Sequence, residues 1–192
     1  MTRTFFAYCS LIFLVTSCQN PEARTPTKTS SGSFIEASVA RNKLIYEQEK
    51  ADIEKIIKTD SLRNYISSKS GFWYTITQKD STPSKQYPVV GDLITFTYNV
   101  KDLGGNIIVS ALENGIQNYK VDQSNQDLIS GIRDGVKLLS PGEKATFIFP
   151  SYKAYGYYGI EKKLGTNQPI TSDITLLSIN PVSYTHLTLP TN

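Results

Sequence analysis

A chain of 192 residues has room for one ordinary domain and an appendage, which excludes a two-domain enzyme built around a large cofactor. Hydrophobic residues make up 39% and charged residues 19%, a balance that can bury a core and excludes wholesale disorder. The net charge of +3 comes from 20 basic and 17 acidic residues mixed along the sequence, with 2 cysteines and 1 histidine, so no nucleic-acid-binding stripe, disulfide framework or zinc-ligand cluster is encoded.

The N-terminus reads as a basic n-region, Met1-Thr-Arg-Thr, followed by a short apolar run from Phe5 to Val15. That is the pattern of a signal peptide over residues 1–17, too short for a mature span, which needs about 20 apolar residues. Val15-Thr-Ser-Cys18 resembles the bacterial lipobox, and the resemblance implies that Cys18 becomes a lipidated first residue. An ordinary secretory signal carrying a cysteine near its cleavage site is the competing reading. Residues 18–33 are rich in Pro, Thr, Ser and Gly without apolar periodicity and read as a flexible tether.

Residues 34–70 read as helical. From Phe34 to Lys58 there is no Gly or Pro, and Ile35, Val39, Asn42, Tyr46, Glu49, Ile53 and Ile56 recur at helical spacing. Ser33 is the expected cap, with Glu36 as its capping-box partner. The polar Asn42 and Glu49 make the stripe an imperfect coiled-coil seam, so the helix is read first as a spacer, and a monomer or a helix-mediated dimer both stay open. A second short helix is expected over Ser61–Ser67, capped by Asp60.

After Gly71 the period changes to two. Strands are expected at Phe72–Thr77, Asp92–Val100, Asn106–Ser110, Ala145–Pro150 and Asp173–Ile179. Asp102-Leu-Gly-Gly-Asn106 reads as a hairpin turn, because paired glycines supply positive φ. Between Leu128 and Leu139 the pattern is briefly helical, with Ile132, Val136 and Leu139 on one face. The class is therefore α+β: an antiparallel sheet wrapped around one short helix, preceded by a long one. The terminal residues 181–192 resemble translated adapter sequence and are set outside the fold, which removes the sole histidine, His186, from any catalytic arrangement.

Gly71-Phe-Trp-Tyr-Thr-Ile, Gly91-Asp-Leu-Ile-Thr-Phe-Thr-Tyr98, Leu128-Ile-Ser-Gly-Ile-Arg-Asp-Gly-Val136 and Leu139-Ser-Pro-Gly-Glu-Lys through Ala154-Tyr-Gly156 follow one another in order. Together they resemble the FKBP-type peptidyl-prolyl cis-trans isomerases over residues 71–180. With the lipobox and Tyr155-Gly-Tyr-Tyr-Gly159, the chain looks most like the gliding-motility-associated lipoproteins of that family. The resemblance implies a rotamase acting on proline-containing segments of unfolded or assembling envelope proteins. It implies a lipid anchor, a periplasm-facing location in the bacterial envelope, and no cofactor or metal.

The resemblance also implies a pocket. Tyr98 is its first wall, Tyr119 and Val121 come from a second strand, Leu128 and Ile129 form the rim, and Ile132 takes the place of the family's floor tryptophan. The Ile129 N–H is expected to bind the substrate carbonyl and the Tyr155 hydroxyl to hydrogen-bond the bound peptide. The family's Phe-Asp pair falls on Ile108 and Val109, and a later Phe on Ser172, so the family carboxylate is missing. Weak catalysis, or a non-catalytic chaperone or assembly subunit on the same scaffold, stays open beside the enzyme.

Overall fold

The computed structural model describes residues 31–80, 85–123 and 128–181, with side chains from Phe34 onward. The signal-like segment, Cys18, residues 18–30 of the expected tether and His186 lie outside them, whereas residues 31–33, read as the end of the tether, already belong to the first helix. A division between compact units falls after Ser38, inside the first helix, and the unit from Val39 onward carries the sheet and its core. No helix among the described residues is long and apolar enough to cross a membrane.

Helix α1 spans Ser31–Thr59, starting ahead of the expected Ser33 cap. Its apolar stripe is buried only toward the C-terminal end, where Ile53 is 0% and Glu49 6% exposed, against 62% for Val39. The Asp60 carboxylate then accepts the Leu62 N–H at 3.3 Å and the Tyr65 hydroxyl at 3.2 Å, closing a turn. Ser61–Ser67 is not the short helix that propensity suggested. Its end is strand β1, Ile66–Ser67, paired antiparallel with Tyr74 and Trp73 of β2, Trp73–Gln78. A sheet edge offers ladder bonds at once, whereas an isolated short helix carries an unfavourable nucleation cost.

The remaining strands are β3 Leu93–Tyr98, β4 Val100–Lys101, β5 Ile107–Val109, β6 Gln117–Lys120, β7 Lys144–Phe149 and β8 Ile170–Asn180. They form one antiparallel 8-stranded sheet in the order β1-β2-β7-β8-β3-β6, with β4 pairing β5 and β8. Between β4 and β5 the Asp102 carboxylate accepts the Asn106 N–H and its side-chain amide, both at 2.8 Å, and only Gly105 of the two glycines takes positive φ, at 87°. Asn99 sits where β3 passes into β4 and exchanges side-chain and backbone bonds with Asp173 of β8.

Period-two alternation decides what is inside. In β3 Ile94, Phe96 and Tyr98 point to the core while Thr95 and Thr97 do not, and in β8 Ile170, Ser172, Ile174 and Leu176 do the same. On this face lies the short helix α3, Ser130–Val136, which buries Gly131, Ile132, Gly135 and Val136. A further short helix, α2, Ala111–Asn114, is capped by the Ser110 hydroxyl accepting from Glu113 N at 3.1 Å.

Candidate functional site

Alternation in β3 turns the Tyr98 ring inward beside Phe96, with ring centroids 6.1 Å apart. The register Ile94↔Tyr119 and Phe96↔Gln117 places β6 on the same face, so Tyr119 joins the buried floor and Gln117 stands half-exposed above it. The Tyr119 hydroxyl is satisfied locally, accepting the Asp122 N–H at 3.0 Å and donating to Asp122 Oδ1 at 3.5 Å, which makes it a wall rather than a free donor. Val121 and Ile132 are both fully buried in the same cluster as Tyr98 and Tyr119.

Around this floor stand the partly buried residues Ile108, Val109, Leu128, Ile129 and Tyr155. Every residue expected at the pocket from sequence therefore packs in or against one apolar cluster. Ile129 is the N-cap of α3, with extended backbone at φ −58 and ψ 147, and its carbonyl accepts from Arg133 N at 3.2 Å. An N-cap N–H stands outside the helix ladder and points away from the helix start. Val109 pairs with fully buried Val100 across the β4–β5 ladder, so its side chain shares the inward face.

Tyr155 follows a 3-10 turn, Ser151–Lys153, entered through Pro150 at the end of β7. Burial pushes its phenol up to about 12, and the neighbouring Tyr98 hydroxyl adds to this. The Tyr98 phenol is itself raised by burial. Both hydroxyls are therefore neutral donors at any ordinary pH. The loop then closes tightly: Ile160 and Leu164 exchange two backbone bonds of 2.9 Å, and the Asn167 N–H donates to Gly156 O at 2.7 Å.

Ile160 and Leu164 also pack against the cluster, as Gln117 faces it, although no sequence motif singles these three out. For the two loop residues a signal existed, since they are the apolar positions flanking the polar run Glu161-Lys-Lys163. Gln117 is visible only through strand register. Ser172, standing where the family has a Phe, is fully buried and donates to Asn99 O at 2.6 Å, so it serves the β3–β8 junction. Among the described residues no cluster of His, Cys, Asp and Glu offers a metal site. A groove of about 870 Å³ is lined by Arg41, Tyr46, Tyr152, Gly156, Tyr157 and Asn167.

A sheet wrapped on one short helix, with Tyr98, the helix N-cap Ile129 and the loop Tyr155 gathered on one apolar cluster, defines the class. The family model described as FKBP-type peptidyl-prolyl cis-trans isomerase matches residues 84–177, and the chain belongs to that family. It is 30% identical over 96 residues to FK506-binding protein 1 of Candida glabrata, covering 50% of this chain and 83% of that one. It is 29% identical over 143 residues to the probable FKBP-type isomerase FkpA of Neisseria meningitidis, covering 74% of this chain and 50% of that one. The chain thus spans half the length of that relative. The solved structure of FkpA from Escherichia coli superposes with a TM-score of 0.54 at 19% identity, covering 95% of this chain and 84% of the other. At that identity it speaks to fold alone.

Proposed function

We propose that this protein is a peptidyl-prolyl cis-trans isomerase, held at a membrane by lipid on Cys18 and acting on proline-containing segments of envelope proteins, those of gliding motility among them. The observation that carries the catalytic part is the apolar cluster that gathers Tyr98, Val121, Ile129, Ile132 and Tyr155, with the Tyr98 and Tyr155 hydroxyls neutral. Rotation about an X-Pro amide faces a barrier of about 18–20 kcal/mol because resonance must be broken. A dry cleft removes the water that stabilises the planar dipolar amide and binds the twisted form better. The Ile129 N–H and the Tyr155 hydroxyl hold the carbonyls on either side of the turning bond, and no acid, base or metal is required.

The test is a protease-free isomerisation assay with several residues placed before proline. Acceleration over buffer is expected, and none for any peptide would reject the reading. The anchor has its own test: labelled fatty acid is taken up at Cys18, and equal uptake by Cys18→Ala rejects it. A second reading, a non-catalytic chaperone on the same scaffold, is favoured by Val109 standing where the family has an acid. It predicts suppression of client aggregation without isomerisation. For gliding motility the support is the motif set alone, and normal colony spreading of a deletion strain would remove it.

A further inference from the structure

Glu49 of α1 is 6% exposed. One carboxylate oxygen accepts the Ser151 N–H at 2.8 Å and the other the Ser151 hydroxyl at 2.5 Å, across 102 residues of sequence. The Ser151 carbonyl in turn accepts two N–H groups, from Ala154 at 3.0 Å and from Gly156 at 2.9 Å. These are the residues on either side of Tyr155. One turn back along α1, the Tyr46 ring meets the Tyr152 ring edge-on at 5.6 Å, and the Tyr152 hydroxyl donates to Gly71 O at 2.9 Å.

We infer that Glu49 is a positioning residue, through which α1 holds the Tyr155 loop in the geometry that binds the peptide. This rests on the isomerase reading. Docking a helix requires no charge: a leucine at the same place packs with less desolvation than a carboxylate. What only an acceptor pair supplies is a defined position for both donors of Ser151, through charge-assisted bonds that are shorter and stronger than neutral ones. From there the order is passed on by the Ser151 carbonyl to both neighbours of Tyr155. A group that must meet substrate within a fraction of an ångström needs such a supporting shell when it stands on a loop. The stripe position that makes α1 a poor coiled coil is thus the one that joins it to the site.

The experiment compares Glu49→Ala, Glu49→Gln and Ser151→Ala in the full-length chain, with Glu47→Gln on the exposed side of the helix as control. Isomerase kinetics and amide hydrogen exchange are both read. For Glu49→Ala, kcat/KM is expected to fall about ten-fold or more, mainly through KM, as when a binding contact is misplaced. Exchange should quicken over residues 151–159 and not in β3 or β8. Glu49→Gln, which keeps an acceptor and gains a donor, should recover part of the loss, and Ser151→Ala, which keeps the N–H bond, should fall between. Unchanged kinetics in folded Glu49→Ala, or a loss shared equally by Glu47→Gln, overturns the inference. If Glu49→Ala does not fold, Glu49→Gln and Ser151→Ala decide: a loss in both with faster exchange over residues 151–159 supports the inference, and wild-type kinetics in both overturns it. If the wild type itself is inactive, the isomerase reading fails, and the exchange data alone decide whether Glu49 holds the loop.

Discussion

Gly131 of α3 lies against Phe149 of β7 so closely that a Cβ on the glycine would stand 2.6 Å from Phe149 Cδ1 and 2.8 Å from the Lys153 carbonyl. The rings of Phe147 and Phe149 stack at 5.5 Å, and Gly135 rests on the first as Gly131 rests on the second. The absence of side chains at these two positions lets the helix pack directly on the two rings. Gly131→Ala is expected to destabilise the fold by about 1–3 kcal/mol, the usual cost of forcing a methyl into a packed core. Gly104→Ala, in the β4–β5 turn and facing only the ends of polar side chains, should cost far less. Urea denaturation of both variants checks this, and equal midpoints would mean the helix can lift off the sheet.

Asp173 joins three strands: its carboxylate takes Lys101 Nζ at 2.7 Å, the Thr146 hydroxyl at 2.6 Å and the Asn99 amide at 3.1 Å. Burial alone raises an acid, but these donors more than offset it and bring the group from 3.8 down to about 2. A depressed carboxyl contributes stability that is complete above its unfolded value and lost as pH falls through the folded one. The contribution is about 2 kcal/mol, disappearing between roughly pH 4 and 2. Other acids are lowered too, Glu143 and Asp134 among them, so the wild-type profile is composite. The difference between wild type and Asp173→Asn isolates this one. It should be full near neutral pH and shrink through that acid window, and a difference independent of pH would show that Asp173 acts by packing alone.

The strands were legible where one face is buried and the other is not, as in Leu93–Tyr98, because burial writes itself into alternate positions. The helix over Ser130–Val136 was legible for the same reason, its apolar residues falling on one side. Strand β6 was not, since Gln117, Asn118 and Lys120 are polar and only Tyr119 and its cross-strand partner reveal the pairing. The Ser61–Ser67 segment was misread because local propensity cannot see the edge of β2. Of the cleft, the residues on β3, α3 and the Tyr155 loop follow from motif order. The bond from Glu49 to Ser151 does not, being a contact between distant residues that leaves only a charge in an apolar stripe as its trace.

Tyr155 is held neutral by burial, and neither it nor Tyr98 titrates near physiological pH. If the proposed function holds, kcat/KM should therefore show no titration of Tyr98 or Tyr155 from mildly acidic to mildly alkaline pH, and a bell-shaped profile would require a general acid or base other than these two hydroxyls. On the proposed function Tyr155→Phe would remove one hydrogen bond to the peptide, worth about 0.5–1.5 kcal/mol, so a loss of a few-fold to roughly ten-fold is expected with the fold intact. Ile129→Asp should do more, because on the same proposal a carboxylate at this position would draw water and charge to the place where desolvation is to lower the barrier. If the two variants are equally mild, the cleft is not where rotation is accelerated.

Val109→Asp tests how far this cleft has moved from the family pattern. The side chain shares the inward face with Val100 and packs against the core, so the new carboxylate enters a largely apolar setting. Stability should drop by about 1–3 kcal/mol, the cost of desolvating a polar group without full compensation. If the site works as an isomerase, restoring the family's acid should raise kcat/KM despite the lost stability. The two effects separate cleanly, since one is read by denaturation and the other by turnover on the folded fraction. A fall in both, with binding of proline peptides retained in the wild type, would instead assign the Ile108–Val109 strand to a pocket that grips proline segments without turning them.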